Sequence, residues 1–287
     1  MLKVNDELRR YGLIPSKYTN TNNVTIVDTD KGKVVFKKKN NLDIFKYLDS
    51  RDFTYYPRII SNDNDSYIMM EYIDSIDMPI EQKIDDMIDL VSLLHSKTSY
   101  YQDISSDDYS KIYEDIKNNI EYLYSYYNDM MTIIESKIFM SSAEYTLSLN
   151  VSKIYESLSF CNLKIEDWYK KVKDKNKKRL VVLHNNLDLS HFIRNDKPYL
   201  ISWDKAKIDI PIFDIYKFYR INSNVNFEEL LKRYERINPL SDDERELLVI
   251  LLSLPDKIEF DDSNYNMCIK IKKVINLIDK IKSTKLF

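Results

Sequence analysis

The first part of the chain alternates between apolar and polar positions, which is the period of a half-buried strand. Two such runs, at 24–27 and 33–38, flank a polar turn that contains a glycine, and this arrangement predicts a β-hairpin. The segment 66–73, SYIMMEYI, predicts a further strand, and the segment 41–53 predicts a short helix. Residues 1–73 are therefore expected to be rich in β-structure.

The period then changes to that of a helix. Apolar residues recur at spacings of three and four from position 80 onward: Ile80, Ile84, Met87, Ile88, Val91 and Leu94. This spacing predicts an amphipathic helix over 80–97, which a proline opens. Helical patterns also cover a tyrosine-rich stretch that starts near 105–108, the segment 151–172, and the segment 212–287 with a break at Pro255.

The segment 181–193, VVLHNNLDLSHFI, has the pattern of a catalytic loop, with an apolar strand, a histidine, a polar turn and an apolar exit. Short apolar strands at 180–183 and 198–202 flank the turn. Together with the other elements, this predicts an α+β fold with a β-rich part at 1–73 and a larger helical part at 74–287.

Composition limits the classes of function. The chain is 44% hydrophobic and 31% charged, which is typical of a folded protein with a core. Its net charge of −3 comes from mixed signs, so we expect no nucleic-acid partner. The apolar runs are too short to span a bilayer and the N-terminus lacks an apolar signal segment, so we expect no membrane partner and a cytoplasmic location. Cys161 and Cys268 fit a reducing compartment.

Glycine is scarce. The chain has two glycines, where an average usage of about 7% would give roughly twenty. A loop that cradles phosphate needs glycines, because the backbone must approach the ligand closely and adopt positive φ. The sequence contains neither G-x-G-x-x-G nor a P-loop. A nucleotide phosphate would therefore find no glycine-rich loop in this protein.

The C-terminal motifs resemble a known clan. VLHNNLDLSHFI followed by YLISWDKAKIDIPIFDIYKF is similar to the aminoglycoside phosphotransferase and choline-kinase-like clan, with its H-G-D-x-x-x-x-N and I-D-W/F-[DE]-x-A elements. Within the clan, the spore-coat-associated kinase-like proteins of low-GC Gram-positive bacteria are most similar, through YYPRIISNDNDSYIMMEYI, LVSLLHSKTSYY and PIFDIYKFY. The resemblance implies a bilobal protein-kinase-like fold, with an N-lobe at 1–73, a C-lobe at 74–287 and a catalytic loop at 181–204.

The resemblance assigns the roles of the C-lobe by position. The motif histidine falls on His184, and the catalytic aspartate falls on Asn186. The metal-binding asparagine falls on His191, and the second metal-binding aspartate falls on Ser202. The late structural aspartate falls on Asp214, as an anchor. The resemblance thus leaves His184 and Asp214 in place and replaces the groups that carry chemistry.

The resemblance also assigns roles in the N-lobe. The strand lysine that pairs with phosphate would be Lys37, and strand alternation puts Val35 on the same face, beneath a base. Glu71 and Tyr72 would offer main-chain groups to an adenine. Lys37 is equally compatible with a charged strand end. Its usual glutamate partner is absent, since the following helix carries Asp43.

The replaced residues are unsuited to phosphoryl transfer, which depends on positioning and metal-assisted neutralisation of charge. Asn186 accepts no proton at neutral pH, Ser202 is a neutral oxygen where Mg²⁺ prefers carboxylate, and His191 offers nitrogen. We therefore predict a pseudokinase that requires no cofactor. Its role would be structural or binding, with a protein partner or a small-molecule ligand, and the resemblance implies spore association.

Two alternatives remain. A shift of register could bring Asp188 and Asp204 into the site, which would give an active phosphotransferase that uses ATP and magnesium on a small hydroxyl- or amino-bearing substrate. The other alternative is a sensor that binds ATP without metal and transfers nothing. In the structural interpretation, His184 bonds the loop backbone, and Asp188 and Asp204 make local polar contacts.

Overall fold

The computed structural model describes residues 2–21, 24–40, 42–64, 66–260 and 263–284. Over these ranges the protein is α+β, with a β-sheet in its N-terminal region and a large helical C-terminal region. The α+β class predicted from the sequence is confirmed.

The chain divides into two compact units, each built from two stretches of sequence. The first unit contains Met1–Ser99 and Val181–Asp209, and the second contains Tyr100–Leu180 and Ile210–Phe287. The sequence predicted a division into two lobes at residue 73, which lies just after the strand Tyr67–Glu71. That division stays a prediction.

The first unit is built on an antiparallel sheet with the strand order β1-β2-β3-β5-β4. A short hairpin, β8–β9, and a strand, β10, come from the second stretch of sequence. The elements of this unit are α1 (Leu2–Arg10), β1 (Pro15–Thr21), β2 (Val24–Thr29), β3 (Gly32–Lys38), α2 (Leu42–Ser50), β4 (Ile59–Ser61), β5 (Tyr67–Glu71), α3 (Ile80–Thr98), β8 (Phe192–Arg194), β9 (Pro198–Leu200) and β10 (Lys207–Asp209).

One face of this sheet packs against α1. The core there consists of buried residues that alternate along the strands with the residues of the opposite face: Leu8, Val27, Val34, Phe36 and Met69. Leu8 is fully buried, which stabilises the packing by about 2 kcal/mol. Ser61 Oγ also donates a hydrogen bond to the buried Glu7 carboxylate, 2.5 Å away. Helix α1 thus covers this face of the sheet and leaves the opposite face to form a pocket.

Helix α3 supports the second stretch of the first unit. Its buried face carries Met87, Val91 and Leu94, which are among the predicted apolar positions. Near its end, Thr98 Oγ1 accepts a hydrogen bond from the Val182 main-chain N–H at 3.0 Å. This bond ties the strand that precedes the catalytic-loop motif to the helix.

The second unit is mainly helical. Its longest helices, α4 and α5, pack against each other, and α5 also packs against α8 and α9. The elements of this unit are β6 (Tyr100–Asp103), α4 (Ser106–Glu135), α5 (Ser142–Val172), α6 (Ile212–Ile221), α7 (Phe227–Glu235), α8 (Asp242–Ser253) and α9 (Asn264–Ser283). Strand β7 (Lys177–Leu183) pairs with β6 through its first residues and with β10 through its last.

Capping residues define where the helices of the second unit begin. Capping boxes, in which a serine and an acidic residue three positions later bond each other's main-chain N–H, precede α4, α5 and α8. The last of these acidic residues, Glu244, also accepts hydrogen bonds from Nε and Nη2 of Arg179, at 2.9 and 2.5 Å. Helix α8 ends at Ser253, just before the predicted break at Pro255.

Several elements are absent from the sequence prediction. Strand β1 has mostly exposed residues and gives no strong periodic signal. Helix α1 is only nine residues long, although its apolar positions have helical spacing. Strands β6 and β10 are too short to be recognised by alternation. Helix α5 begins nine residues before the predicted start at 151. Among the described residues, no helix combines the length and apolarity needed to cross a membrane.

Tyr127 provides a test of the packing in the second unit. Its side chain is fully buried, and its hydroxyl donates to the Asp256 carbonyl at 2.7 Å and accepts from the Ile258 N–H at 3.2 Å. Tyr127→Phe should lower the free energy of unfolding by about 1–3 kcal/mol, because both main-chain groups lose their partner. Urea unfolding measures this loss. Tyr124→Phe, at a position that is 44% exposed, is the matched control and should change stability by less than about 0.5 kcal/mol.

Candidate functional site

A pocket of about 170 Å³ lies on the face of the sheet opposite α1, and its lining residues all belong to the first unit. Strand register explains its floor. Val24, Lys37 and Ile68 are paired across β2, β3 and β5, and so are Ile26, Val35 and Met70. Residues directly opposite each other on neighbouring strands share a face of the sheet. All six residues line the pocket.

The remaining walls come from both stretches of the first unit. Ile193 lies in the β8–β9 hairpin, and Ile201 and Trp203 follow it. Phe45 of α2 lines the pocket and packs against the Trp203 ring, with centroids 6.2 Å apart. Trp203 is buried and its Nε1–H donates to the Leu200 carbonyl at 2.7 Å, so it serves packing. The pocket is therefore mostly apolar.

An ion pair forms the polar end of the pocket. Lys37 Nζ lies 2.6 Å from Asp204 Oδ2, and both residues line the pocket. The lysine side chain is 13% exposed and the aspartate side chain is 39% exposed, so the pair is partly shielded from water. Asn40 Nδ2 donates to the Asp204 carbonyl at 3.3 Å. Asp43, at the place of the usual glutamate partner, instead pairs with Lys46.

Main-chain groups border the pocket where β5 ends. Tyr72 and Ile73 follow the strand and line the pocket. Their main chain makes none of the loop hydrogen bonds found in the described part of the protein. The side chain of Glu71, which also lines the pocket, accepts a hydrogen bond from the Arg58 N–H at 2.8 Å. Tyr72 and Ile73 therefore place main-chain polar groups at the border of an apolar pocket.

His184 supports the loop that follows strand β7. It is fully buried, and its Nε2–H donates to the Ile201 carbonyl at 2.8 Å. Its ring also meets the Trp203 ring edge-on, with centroids 4.7 Å apart. These contacts connect the catalytic-loop motif to the segment after β9, as a structural histidine would.

Two residues of this loop region have a left-handed backbone conformation. Asn185 has φ of 58° and Ser202 has φ of 67°. Asn185 stands where the motif H-G-D has glycine, and asparagine tolerates this conformation better than most residues. Asn186 Nδ2 donates to the Ser202 carbonyl at 3.3 Å. Two left-handed residues and an amide donor thus shape this loop region.

His191 and Asp188 are bound to their own loop. His191 Nδ1–H donates to the Asn186 carbonyl at 2.7 Å. Asp188 Oδ1 accepts from Ser190 N at 2.8 Å and Ser190 Oγ at 2.5 Å, and so caps the 3-10 turn Leu189–His191. The Ser190 hydroxyl and N–H hold the pKa of the Asp188 carboxyl below its usual range, and the charges of His191 and Lys83 add to this.

The predicted site residues are only partly brought together. Val35, Lys37, Glu71, Tyr72, Ser202 and Asp204 line one pocket, whereas His184, Asn186, Asp188 and His191 do not line it. Asp214 lies in the second unit, fully buried in the first turn of α6. The roles predicted for these residues in binding, catalysis or anchoring stay predictions.

The donor groups at the position predicted for the second metal ligand are a serine hydroxyl and an ion-paired carboxylate. Mg²⁺ prefers carboxylate oxygens in octahedral geometry. Over the described ranges, no group of three or more His, Cys, Asp or Glu residues is arranged to hold a metal. Ser202 is neutral, and Asp204 is engaged by Lys37. The floor of the pocket, by contrast, is apolar apart from Lys37.

Comparison with known proteins gives the fold. The sequence matches no protein-family model and no curated protein. An aminoglycoside phosphotransferase from Alicyclobacillus acidocaldarius subsp. acidocaldarius DSM 446 is similar over 96% of this chain and 92% of its own, with a TM-score of 0.71 and 9% identity. The chain has an aminoglycoside phosphotransferase fold.

Another phosphotransferase shares this aminoglycoside phosphotransferase fold. Spectinomycin phosphotransferase, solved with ADP and spectinomycin, has a TM-score of 0.54 and 12% identity over 100% of this chain and 98% of its own. Its AMP-bound complex has a TM-score of 0.57 and 12% identity over 99% of this chain and 98% of its own. At such identities, the likeness concerns the fold.

Several pocket residues were missed by sequence reasoning. The register of β2, β3 and β5 would have identified Val24, Ile26, Ile68 and Met70, since each lies in a row with Val35 or Lys37. Asn40, Phe45, Pro57, Ile193 and Ile201 carry no comparable signal, because tertiary packing brings them to the pocket.

Substitutions at Asp188 test whether it is a cap. Asp188→Ala should lower the free energy of unfolding by about 1 kcal/mol, because the turn loses its capping oxygen, while Asp188→Asn should cost only a few tenths. Chemical denaturation at pH 7 measures both effects. Asp77→Ala, at an exposed position in the same unit, is the control.

The lowered pKa of Asp188 also predicts a dependence on pH. A carboxyl group with a lowered pKa in the folded state stabilises the fold above its unfolded pKa of about 3.9. That contribution is lost as pH falls through the folded value. The stability difference between the native protein and Asp188→Ala should therefore shrink below about pH 4. A difference that persists unchanged at pH 2 would contradict the assignment.

Proposed function

We propose that this protein is a ligand-binding protein of the pseudokinase type, which does not transfer phosphate. The observation that carries the proposal is the 2.6 Å ion pair between Lys37 and Asp204 within the pocket. The Lys37 ammonium occupies the Asp204 carboxylate. The same carboxylate, held by the ammonium, is poorly available to a metal ion.

The remaining chemical positions support the same interpretation. Phosphoryl transfer requires metal-assisted neutralisation of charge and a residue that orients the attacking oxygen. Asn186 stands at the place of the catalytic aspartate, and its side-chain amide donates a hydrogen bond to the Ser202 carbonyl. Ser202 provides a neutral oxygen where the motif has the second metal-binding aspartate. We infer that the scaffold persists while the charges needed for transfer are lost.

The fold supports a retained binding pocket. Spectinomycin phosphotransferase, which is similar in fold, is described in complexes with ADP and with AMP. In this chain the apolar pocket with its main-chain border could hold a flat ring without any metal. A small-molecule ligand is therefore a more specific proposal than a protein partner. A protein partner and spore association remain expectations from the sequence resemblance.

The rival function is an active phosphotransferase with ATP and magnesium, acting through Asp188 and Asp204 on a small hydroxyl- or amino-bearing substrate. Its support is that the structures of similar fold are named as phosphotransferases. Asp188, however, caps its own turn, and Asp204 pairs with Lys37. A metal-free ATP sensor is a third candidate, and it needs Lys37 to exchange Asp204 for phosphate.

Restoring the lost carboxylates tests the residue assignment. The double variant Asn186→Asp/Ser202→Asp should gain magnesium-dependent ATP binding, because it supplies oxygens that Mg²⁺ prefers. Thermal unfolding measures this, since a ligand at 100 times its Kd stabilises the folded state by about 2.7 kcal/mol. For a chain of this size such a gain raises Tm by several degrees.

The matched control is Asn186→Ala/Ser202→Ala, which changes the same positions without adding charge and should show no magnesium-dependent rise in Tm with ATP. The unmodified protein should likewise show none. If the double aspartate variant behaves like the double alanine variant, the assignment of Asn186 and Ser202 to the metal positions is wrong.

A turnover assay separates the proposed function from its rival. Purified protein with magnesium and ATP should release no ADP above background, both alone and with aminoglycosides or choline as acceptors. Loss of a measurable ADP release in Asp204→Ala, together with retained folding, would establish the rival enzyme. Lys207→Ala, which removes an exposed lysine outside the pocket, serves as the control for such an effect.

A further inference from the structure

The second unit exposes a group of large apolar side chains where α5 and α9 begin. The loop before α5 contains Ile138 and Phe139, which are 91% and 87% exposed. Two residues near the start of α5 and two near the start of α9 are between 48% and 75% exposed. We call these six residues the apolar surface: Ile138, Phe139, Tyr145, Leu149, Tyr265 and Ile269.

Two contacts bring the three segments of the apolar surface together. Ser148 Oγ lies 3.8 Å from Met140 Sδ, which holds the loop beside α5. Thr146 Oγ1 lies 3.8 Å from Cys268 Sγ, which joins α5 to α9. The exposed residues of both helices lie within one turn of this second contact. All of these residues belong to the second unit, so the apolar surface is a feature of one compact body.

The apolar surface is large for a protein that acts as a single chain. At roughly 150–200 Å² for a fully exposed large side chain, the exposed fractions correspond to about 650–850 Å². The largest apolar patch of a typical monomeric protein covers about 300–600 Å². A specific interface of standard size buries about 800 Å² on each partner. The apolar surface therefore has the area that one side of a stable interface requires.

The ionisable residues beside the apolar surface carry both signs. Among the described residues, three lysines and two acids lie within three positions of its six members: Glu135, Lys137, Glu144, Lys270 and Lys272. Lys137 and Glu144 form an ion pair with each other. Binding to an anionic lipid surface favours a cluster of about four to eight Lys or Arg residues. This mixed border provides no such cluster.

A second copy of the chain fits this combination of area and charge. In a two-fold dimer the same patch meets itself, so a strongly charged patch would place like charges opposite each other. Three lysines and two acids leave the border of the apolar surface with a formal charge of +1. Repulsion between two copies of this border is therefore small, and the apolar side chains supply the attraction.

From these observations, we propose that the apolar surface is the interface of a homodimer, in which the second unit of one copy packs against the second unit of the other. The interface removes the six exposed side chains from water. It uses none of the residues that line the pocket of the first unit, so the inference does not depend on the proposed function.

Sedimentation velocity of the purified full chain, over a hundredfold range of concentration, tests the proposal. The chain should form a species with twice the mass of one copy. Phe139→Asp and Leu149→Asp should each raise the dissociation constant of the dimer at least tenfold, because the interface would bury an unpaired carboxylate. Both residues are exposed in the single chain, so circular dichroism should show unchanged helix content.

Leu163→Asp is the matched control for Leu149→Asp. Both leucines lie in α5, and they are 65% and 63% exposed, respectively. Leu163 lies about 21 Å further along the helix and is not part of the apolar surface. Its substitution by aspartate adds the same charge to the same helix, and the dissociation constant of the dimer should stay within twofold.

A chain that stays monomeric over the whole range of concentration would overturn the proposal. A dimer that forms equally well in Phe139→Asp and Leu149→Asp, or that weakens equally in Leu149→Asp and Leu163→Asp, would place the interface elsewhere and would also overturn it. Vesicles of anionic phospholipid provide the remaining arm. Binding of a monomer to these vesicles, lost in Phe139→Asp, would assign the apolar surface to a membrane and not to a second copy.

Discussion

The contact between the Lys37 ammonium and the Asp204 carboxylate joins the two stretches of sequence that build the first unit. It joins β3 to the 3-10 turn Trp203–Lys205, and a second bond from Asn40 to the Asp204 carbonyl spans 164 residues of sequence. The same turn positions Trp203, whose ring packs against Phe45 and His184. One partly shielded pair of opposite charges therefore closes the polar end of the pocket and sets its net charge.

The path of the loop after β7 has a physical explanation. His184 donates a hydrogen bond to the Ile201 carbonyl, and the next residue, Asn185, has a left-handed backbone that asparagine tolerates well. Neither feature involves a carboxylate. Asn186 and His191 add hydrogen bonds from their side chains to main-chain carbonyls.

Much of this architecture could be predicted from the sequence, because period and motif are local signals. The β2–β3 hairpin and helix α3 follow from their apolar spacing, and the shared face of Val35 and Lys37 follows from strand alternation. The partner of Lys37 could not be predicted from spacing, since Asp43 is nearer in sequence and Asp204 is nearer in space. The pocket walls at Ile193 and Ile201 likewise depend on tertiary packing.

The interleaving of the two units bears on how the protein is made. The first unit needs Val181–Asp209 in addition to Met1–Ser99, so its pocket lacks Ile193, Ile201 and Asp204 until those residues have left the ribosome. By then, all of α4 and α5 has already been synthesised. Neither unit can be completed before the chain has begun the other, so translation delivers them in alternation and not one after the other.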